Sequence, residues 1–280
     1  MNSIKKQARI AGLWYLLLGI SAPIGLTIPS EIMVPGDATA TADHVRASET
    51  LLRMDIGSEL FYQIIAIFLV LALYRLFKAV SEKHAVLMVI LGALVSAPIV
   101  FVNVLNEIAA LILVGSANFL SVFDRHQLDA LAYLFLRLHS QGIVVAAIFW
   151  GLWLFPFGIL IIRSGFIPRF LGLLVFITGF AYVGDSFISL LLPSYRPLVS
   201  QFTGILEIAE VPIIFWLLIW GAKDQSRKEQ PYGCGRARIA DLMFRYTYEN
   251  KTNTKMEYAR DFGRVSIDVP GGIHRLLEVY

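Results

Sequence analysis

The sequence contains few cysteines and histidines, the residues that form disulfides and most zinc sites. It contains one cysteine, Cys234, and five histidines in 280 residues. A single cysteine excludes an intrachain disulfide and a cysteine-based metal site. Zinc sites favour several His or Cys ligands, and this chain offers few of them. No cofactor is predicted from this composition.

Charge is also scarce. Charged residues make up 16% of the chain and hydrophobic residues 57%, whereas an ordinary soluble domain carries about 25% charged residues. The net charge of +3 comes from the segment that begins at Lys223, so no basic surface is predicted to bind nucleic acid. The sequence also lacks a phosphate-binding glycine loop, a nucleophile elbow and a paired-histidine metalloprotease motif.

Six apolar runs of about 20 residues or more are each long enough to cross a hydrocarbon core of roughly 30 Å. We therefore predict an all-α, polytopic membrane bundle with the lipid bilayer as its partner. Its six transmembrane helices are predicted at residues 10–28, 56–77, 84–114, 139–162, 168–192 and 198–222. They form a membrane domain at 1–223, and a poorly ordered cytoplasmic tail is predicted at 224–280.

The first run could instead be a signal peptide, because it follows Lys5, Lys6 and Arg9. Its length of about 19 residues favours a retained span. Pro23 also follows the small-residue pair that could serve as a cleavage site, and this argues against cleavage. We therefore interpret the run as the first transmembrane helix.

The basic residues predict an orientation. With the N-terminus inside, the cytoplasmic segments hold eleven Lys and Arg and the outer segments hold five. This asymmetry agrees with the positive-inside rule. Six spans also return the C-terminus to the cytoplasm, so we predict an N-in/C-in topology.

Three local features are predicted between and within the spans. Residues 39–54 are typical of a short helix with Thr41 or Asp43 as its N-cap. The segment at 115–138 is polar and is predicted to be a loop. The third span contains Pro98, which predicts a kink because proline lacks the N–H group that a helix requires.

Polar side chains recur inside the predicted spans, where a charge at the bilayer centre costs roughly 2.5–3.5 kcal/mol on insertion scales. In the predicted orientation most of them fall in the outer half of the membrane. We therefore predict an outward-facing polar cavity. Its candidate residues are Glu59, Asn103, Glu107, Arg137, His139, Tyr182, Asp185, Glu207 and Glu210.

Carboxylates packed together in a low-dielectric pocket cannot all be ionised without partners. The first hypothesis is that this cavity handles a cation or a small polar ligand. The second is an intramembrane metal-dependent hydrolase of the ceramidase and adiponectin-receptor type, with His139 and Asp185 as weak metal candidates. The third is a structural, sensory or partner-binding protein whose polar side chains form hydrogen bonds between helices. The sequence leaves the oligomeric state open.

The chain resembles an uncharacterised bacterial membrane family catalogued as the domain of unknown function 4386. The resemblance covers roughly residues 5–225. It rests on His139…Gly142, Phe149-Trp150-Gly151-Leu152-Trp153, Arg163-Ser-Gly-Phe-Ile-Pro-Arg169, Leu171-Gly172, Asp185-Ser186 and the Ala47-Ser-Glu49…Arg53…Ile56-Gly57 stretch. It implies a six-span protein of the bacterial plasma membrane, with no established activity.

Overall fold

The computed structural model describes residues 3–115 and 117–222, without the side chains of residues 3, 24–31 and 207. The described residues all lie within one compact unit, Met1–Gln225. The tail predicted at 224–280 lies outside the described residues.

The described chain folds into helices joined by short turns. The α-helices are α1 (Ser3–Ile32), α2 (Ala38–Ala47), α3 (Glu49–Phe77), α4 (Glu82–Val89), α5 (Ser96–Val114), α6 (Arg125–Ser164), α7 (Arg169–Leu191), α8 (Arg196–Glu207) and α9 (Val211–Phe215). Wider π-helical turns join α4 to α5 at Ile90–Val95 and follow α9 at Trp216–Trp220. Short 3₁₀ turns lie at Asn118–Leu120, Pro193–Tyr195 and Ile208–Glu210.

Five helical segments of the described chain are long and apolar enough to cross a membrane. They are Glu49–Phe77, Glu82–Val114, Arg125–Ser164, Arg169–Leu191 and Pro193–Trp220. The all-α prediction is confirmed, because the described residues contain no strand. The first predicted span lies within α1, a helix of 30 residues that is not among the five. The six-span count and the N-in/C-in topology therefore remain predictions.

Helix α6 begins at Arg125, so the prediction of a loop through residue 138 was wrong. Asp124 caps the helix by accepting a hydrogen bond from the Gln127 backbone N–H, and the Gln127 side chain accepts one from the Asp124 N–H. This reciprocal capping box satisfies two backbone donors that would otherwise lack partners at the start of a helix. A polar segment that looked like a loop is thus the first turns of a 40-residue helix.

The bounds and the N-cap predicted for the short helix were also wrong. Helix α2 ends at Ala47, and α3 begins separately at Glu49. The N-cap is Asp37, whose side chain accepts a hydrogen bond of 2.9 Å from the Ala40 N–H. Asp37 lies one residue after Gly36, whose φ of +82° allows the chain to turn sharply just before the helix.

The irregular turn in the third span precedes Pro98 rather than coinciding with it. The π-helical segment Ile90–Val95 ends three residues before the proline. Pro98 cannot donate a hydrogen bond to the carbonyl of Leu94, and its ring crowds that carbonyl. A wider turn just before the proline accommodates both effects.

The main apolar core lies between α1, α3, α6, α7 and the Trp216–Trp220 turn. Phe77 and Phe157 are both fully buried in this core, with ring centroids 5.8 Å apart.

Glycines allow α6 and α7 to approach each other closely. A Cβ added at Gly151 would lie 2.6 Å from the Gly179 carbonyl oxygen, and one added at Gly158 would lie 2.9 Å from that of Gly172. Small residues at such positions are typical of helix pairs in membranes.

Candidate functional site

Three helices contribute buried polar side chains to one region of the bundle. On α3, the residues Asp55, Glu59, Tyr62 and Gln63 are spaced three or four apart and therefore share one face of the helix. All four are buried. Helices α5 and α6 face this side of α3 with Glu107 and His139, whose exposures are 0% and 2%.

An apolar layer lies on one side of these polar residues. Leu52 of α3, Ala110 of α5 and Leu136 of α6 belong to one buried cluster, which also contains Val45 of α2. On each of these helices a polar residue of the site lies about one turn from the apolar residue. On α3, for example, Asp55 is three positions after Leu52. The short helix α2 therefore packs at the end of the bundle beyond this layer.

A second apolar layer lies on the other side. It consists of the Tyr62 ring, Val100 and Ala146, which form a buried cluster of their own, although the Tyr62 hydroxyl is itself a buried polar group without a partner. The acidic side chains and His139 are thus enclosed between two largely apolar layers. In such surroundings an unpaired charge or hydrogen-bonding group is costly, because neither water nor a high dielectric compensates it.

His139 lies between two glutamates. Its Nε2 atom is 3.1 Å from Oε1 of Glu59, and its Nδ1 atom is 3.8 Å from Oε1 of Glu107. One ligand-type atom from each of the three residues lies within 4.8 Å of the other two. We call Glu59, Glu107 and His139 the triad.

Five of the six side-chain nitrogen and oxygen atoms of the triad lack an N–H, hydroxyl or carbonyl partner within the described part of the chain. Both carboxyl oxygens of Glu59 and of Glu107 are buried without a partner, and so is Nε2 of His139. The Nε2–Oε1 contact with Glu59 has the distance of an ion pair but not the alignment of a hydrogen bond. Most buried polar atoms in proteins are hydrogen-bonded, so this concentration of unpaired atoms requires an explanation.

Asp55 adds a third carboxyl group. Its interactions are with Glu107, Glu59 and His139, so the imidazole is the group that can offset its negative charge. Asp55 and Glu107 lie within hydrogen-bond reach of each other, and such a bond requires that one of the two carboxyl groups carries a proton, because two carboxylates are both acceptors. Three carboxyl groups and one imidazole in a buried space need positive charge, from protons or from a bound cation, because the carboxyl groups cannot all be ionised without it.

Neighbouring amides fix the position of His139. The side-chain N–H of Asn103 donates a hydrogen bond of 2.9 Å to the His139 carbonyl, and the Asn106 amide donates to Oδ1 of Asn103 at 3.1 Å. Gly142 leaves room for this arrangement, because a methyl group at that position would overlap the Asn103 side chain. Helices α5 and α6 are therefore held in register beside the triad.

The other candidate residues lie elsewhere. Arg137 is exposed on α6. On α7, Tyr182 and Asp185 are half-buried, and Asp185 accepts a hydrogen bond of 3.1 Å from the Thr203 hydroxyl. Glu210 is half-buried at the end of a 3₁₀ turn.

The side chain of Glu207 is not among those the structure describes. Among the described residues, the side chains grouped closely enough to hold a metal ion are those of the triad, and Asp185 is not one of them. The structure thus brings together Glu59, Glu107 and His139, with Asn103 beside them.

Two features were missed by the sequence analysis. Asp55 lies just before the span predicted at 56–77 and was not among the candidate residues, although its spacing of four from Glu59 could have indicated a shared helix face. The second is the pairing of Arg46 on α2 with the buried Asp129 on α6. Nothing in the sequence indicates that pair, because it joins segments that are distant in the chain.

Arg46 also links two charges at the surface. It lies 2.7 Å from Asp43, which in turn lies 2.9 Å from Arg125. The hydrogen bond from Arg46, and less strongly the one from Arg125, holds the pKa of Asp43 below its ordinary value of 3.8 against the opposing effect of desolvation. Helix α2 is therefore held to α6 by charged groups at this end of the bundle.

Comparison with known proteins gives a family but no activity. A family model described as "Domain of unknown function (DUF4386)" matches residues 10–221, a range that contains all the residues of the site. An uncharacterized protein of Archaeoglobus fulgidus is 30% identical over 170 residues, which are 58% of this chain and 85% of that protein. No solved structure matches the chain.

Proposed function

The chain belongs to the DUF4386 family, and we propose that it is an integral membrane protein that handles a cation inside its helical bundle. The cation binds in the region that Glu59, Glu107 and His139 enclose. Several helices of the described chain are apolar and long enough to cross a membrane, which supports a location in the bilayer.

A single observation carries this proposal: the triad and Asp55 supply more negative charge and more hydrogen-bond acceptors than the surrounding residues compensate. Among the described residues, the oxygens of Asp55, Glu59 and Glu107 find no N–H or hydroxyl donor, and Asp55 and Glu107 can bond to each other only through a shared proton. A positively charged ligand would satisfy these oxygens together. Ionisable side chains inside membrane spans commonly mark pathways for ions.

A purely structural role accounts less well for the same geometry. Polar side chains that only hold helices together pair a donor with an acceptor, as Asn103 does with the His139 carbonyl. In the cluster, the carboxyl groups of Asp55 and Glu107 instead face each other. Two facing carboxyl groups hold helices together when a proton or a bound cation lies between them, so the cluster depends on a positive charge in a way that the Asn103 pairing does not.

The hydrolase hypothesis is favoured by one feature, the grouping of Glu59, Glu107 and His139. Three protein ligands with an open position are typical of catalytic metal sites. However, a hydrolase must also admit its substrate, and all three residues are at most 2% exposed. Cation handling is therefore the better-supported function, because an ion is small enough to reach such a site through limited motions of side chains.

As part of this proposal we place the protein in a bacterial plasma membrane with both termini in the cytoplasm. The distribution of Lys and Arg supports this orientation. The site then lies nearer the outer surface, since α3 begins and α5 ends at that side. The cation would be exchanged with the external medium.

The test is thermal unfolding of the detergent-purified full chain in the presence of Na⁺, K⁺, Mg²⁺, Ca²⁺, Mn²⁺ or Zn²⁺ at constant ionic strength. A cation that binds the native state stabilises it by about 2.7 kcal/mol at 100 times its Kd. We expect at least one cation to raise the Tm of the wild type and to have no such effect on Glu107→Gln.

The control is Asp185→Asn, which removes an acid outside the triad and should keep the full cation effect. If none of the six cations changes the wild-type Tm, cation handling is wrong and a structural role for the cluster takes its place.

A further inference from the structure

Building on the proposed function, we infer that the cation is a divalent transition-metal ion ligated by Glu59, Glu107 and His139. The inference identifies the chemical class of the ligand and the three residues that hold it. It rests on the spacing of their ligand atoms, on the chemistry of imidazole and on the charge of the site.

The spacing within the triad fits one metal ion. Metal–nitrogen and metal–oxygen bonds of about 2.0–2.2 Å place neighbouring ligand atoms roughly 3–4 Å apart. One ligand atom from each of the three residues falls within 4.8 Å of the other two. The closest pair is Nε2 of His139 and Oε1 of Glu59, which are 3.1 Å apart. A single ion bound through one ring nitrogen can contact all three residues once their side chains close the longer of these separations.

The alignment of the closest pair also favours ligands over an ion pair. Nε2 of His139 and both oxygens of Glu59 lack hydrogen-bond partners in the region that the structure describes. A protonated imidazole that paired with Glu59 would direct its N–H group at the carboxylate. The separation of about 3 Å without a hydrogen bond is compatible with two ligands of one metal ion.

Imidazole selects the class of metal. Na⁺, K⁺, Mg²⁺ and Ca²⁺ are hard cations that prefer oxygen ligands, whereas Zn²⁺, Fe²⁺ and Ni²⁺ readily accept a histidine nitrogen. Mn²⁺ suits the carboxylates. A site with two carboxylates and one imidazole therefore favours Zn²⁺, Mn²⁺ or Fe²⁺ over alkali and alkaline-earth ions.

Charge favours a divalent ion over a monovalent one. His139 must be neutral to ligate a metal, which leaves Glu59 and Glu107 with one negative charge each. A divalent ion balances both and leaves the third carboxyl group, Asp55, to be neutralised by a proton, whereas a monovalent ion leaves a second carboxylate uncompensated. Three protein ligands also leave coordination positions open, as a site that takes up and releases its ion requires.

The first experiment measures metal content. The full chain in detergent is stripped with a chelator, equilibrated separately with Zn²⁺ and Mn²⁺, freed of unbound ion and analysed by mass spectrometry. We expect about one ion per chain in the wild type and at least roughly tenfold weaker binding in Glu107→Gln and His139→Gln. Asp185→Asn should bind as the wild type does. Unchanged binding in both Gln variants would show that the metal is bound elsewhere and would overturn the inference.

A second measurement needs no variant and remains informative if the Gln variants fail to fold. X-ray absorption at the zinc edge of the wild type should show nitrogen and oxygen ligands at about 2.0–2.1 Å, with the outer-shell scattering of one imidazole. A spectrum without imidazole scattering would exclude His139 as a ligand.

The two proposals fail in different ways. If Na⁺, K⁺, Mg²⁺ or Ca²⁺ stabilises the wild type while Zn²⁺ and Mn²⁺ neither bind nor stabilise it, the protein handles a cation but the inference of a transition metal is overturned. If no cation of either class has an effect, both proposals are wrong.

Discussion

Nε2 of His139 lies 3.1 Å from Oε1 of Glu59, and both side chains are at most 2% exposed. Glu59 lies on α3 and His139 on α6, so helix packing, not chain proximity, creates this contact. Glu107 of α5 completes the triad. Because these side chains carry unpaired acceptors between apolar layers, they affect both stability and ligand binding.

Replacement of Glu59 by Gln should stabilise the ion-free protein but abolish the stabilisation that the ion gives to the wild type. In chelator-treated protein the substitution removes the charge of one of three neighbouring carboxyl groups and so lowers their mutual repulsion, and we expect stabilisation of about 1–3 kcal/mol. In the presence of Zn²⁺ the wild type should gain stability and the variant should not. Thermal unfolding under both conditions measures this. A variant less stable than the wild type in both conditions would contradict the prediction.

Gly142→Ala should destabilise the packing of α5 against α6. The added methyl group overlaps the Asn103 side chain, which must then give up its hydrogen bond to the His139 carbonyl. Overpacking of this kind costs about 1–3 kcal/mol. Chemical unfolding in mixed micelles measures the loss.

The control is Gly57→Ala, because a Cβ at Gly57 meets nothing within 4 Å. Combining Gly142→Ala with Asn103→Ala should recover part of the lost stability, since the overlap is then removed. If the double variant is no more stable than Gly142→Ala, the overlap is not the cause.

Gly151→Ala should weaken the contact between α6 and α7. Its methyl group would lie 2.6 Å from the Gly179 carbonyl oxygen, which belongs to the backbone and cannot rotate away. We expect a loss of about 1–3 kcal/mol and a lower Tm. Gly184→Ala on α7 meets no atom within 4 Å and should be neutral or slightly stabilising. Equal effects of the two substitutions would contradict the close helix contact.

Arg46→Ala should be strongly destabilising, because it leaves Asp129 without its cation. The Asp129 side chain is 1% exposed, and breaking a buried ion pair costs about 3–5 kcal/mol. The matched control is Arg53→Ala, whose partner Glu49 is 54% exposed and whose loss should cost about 1 kcal/mol or less. Adding Asp129→Asn to Arg46→Ala should restore most of the stability. Thermal unfolding of the four proteins tests the pair.

The Asp43 carboxyl should make stability depend on pH in the acidic range. Its pKa is lowered in the folded state by Arg46 and Arg125, from an ordinary value of 3.8. A carboxyl with a depressed folded pKa adds stability above its unfolded pKa, and this contribution is lost as pH falls through the folded pKa. The Tm difference between wild type and Asp43→Asn should therefore be constant at neutral pH and shrink below about pH 4. A difference that grows towards low pH would contradict this assignment.

The sequence by itself determined the class of the fold. Long apolar runs such as 56–77 form helices in any environment that lacks water, because a backbone buried there must satisfy its own hydrogen bonds. The sequence also determined which side chains share one helix face, as Glu59, Tyr62 and Gln63 do. Charged residues were less informative about helix ends: Asp124 and Arg125 suggested a loop but start α6.

Only the tertiary structure decided which polar side chains meet. Glu59, Glu107 and His139 converge, whereas Asp185 contacts Thr203 and Arg137 is exposed. Hydropathy cannot distinguish these outcomes, because lipid and protein interior are both apolar and a polar residue on a helix does not reveal which neighbour it faces. The rotation and register of α3, α5 and α6 come from contacts such as Asn103 beside Gly142, which arise between residues far apart in the chain.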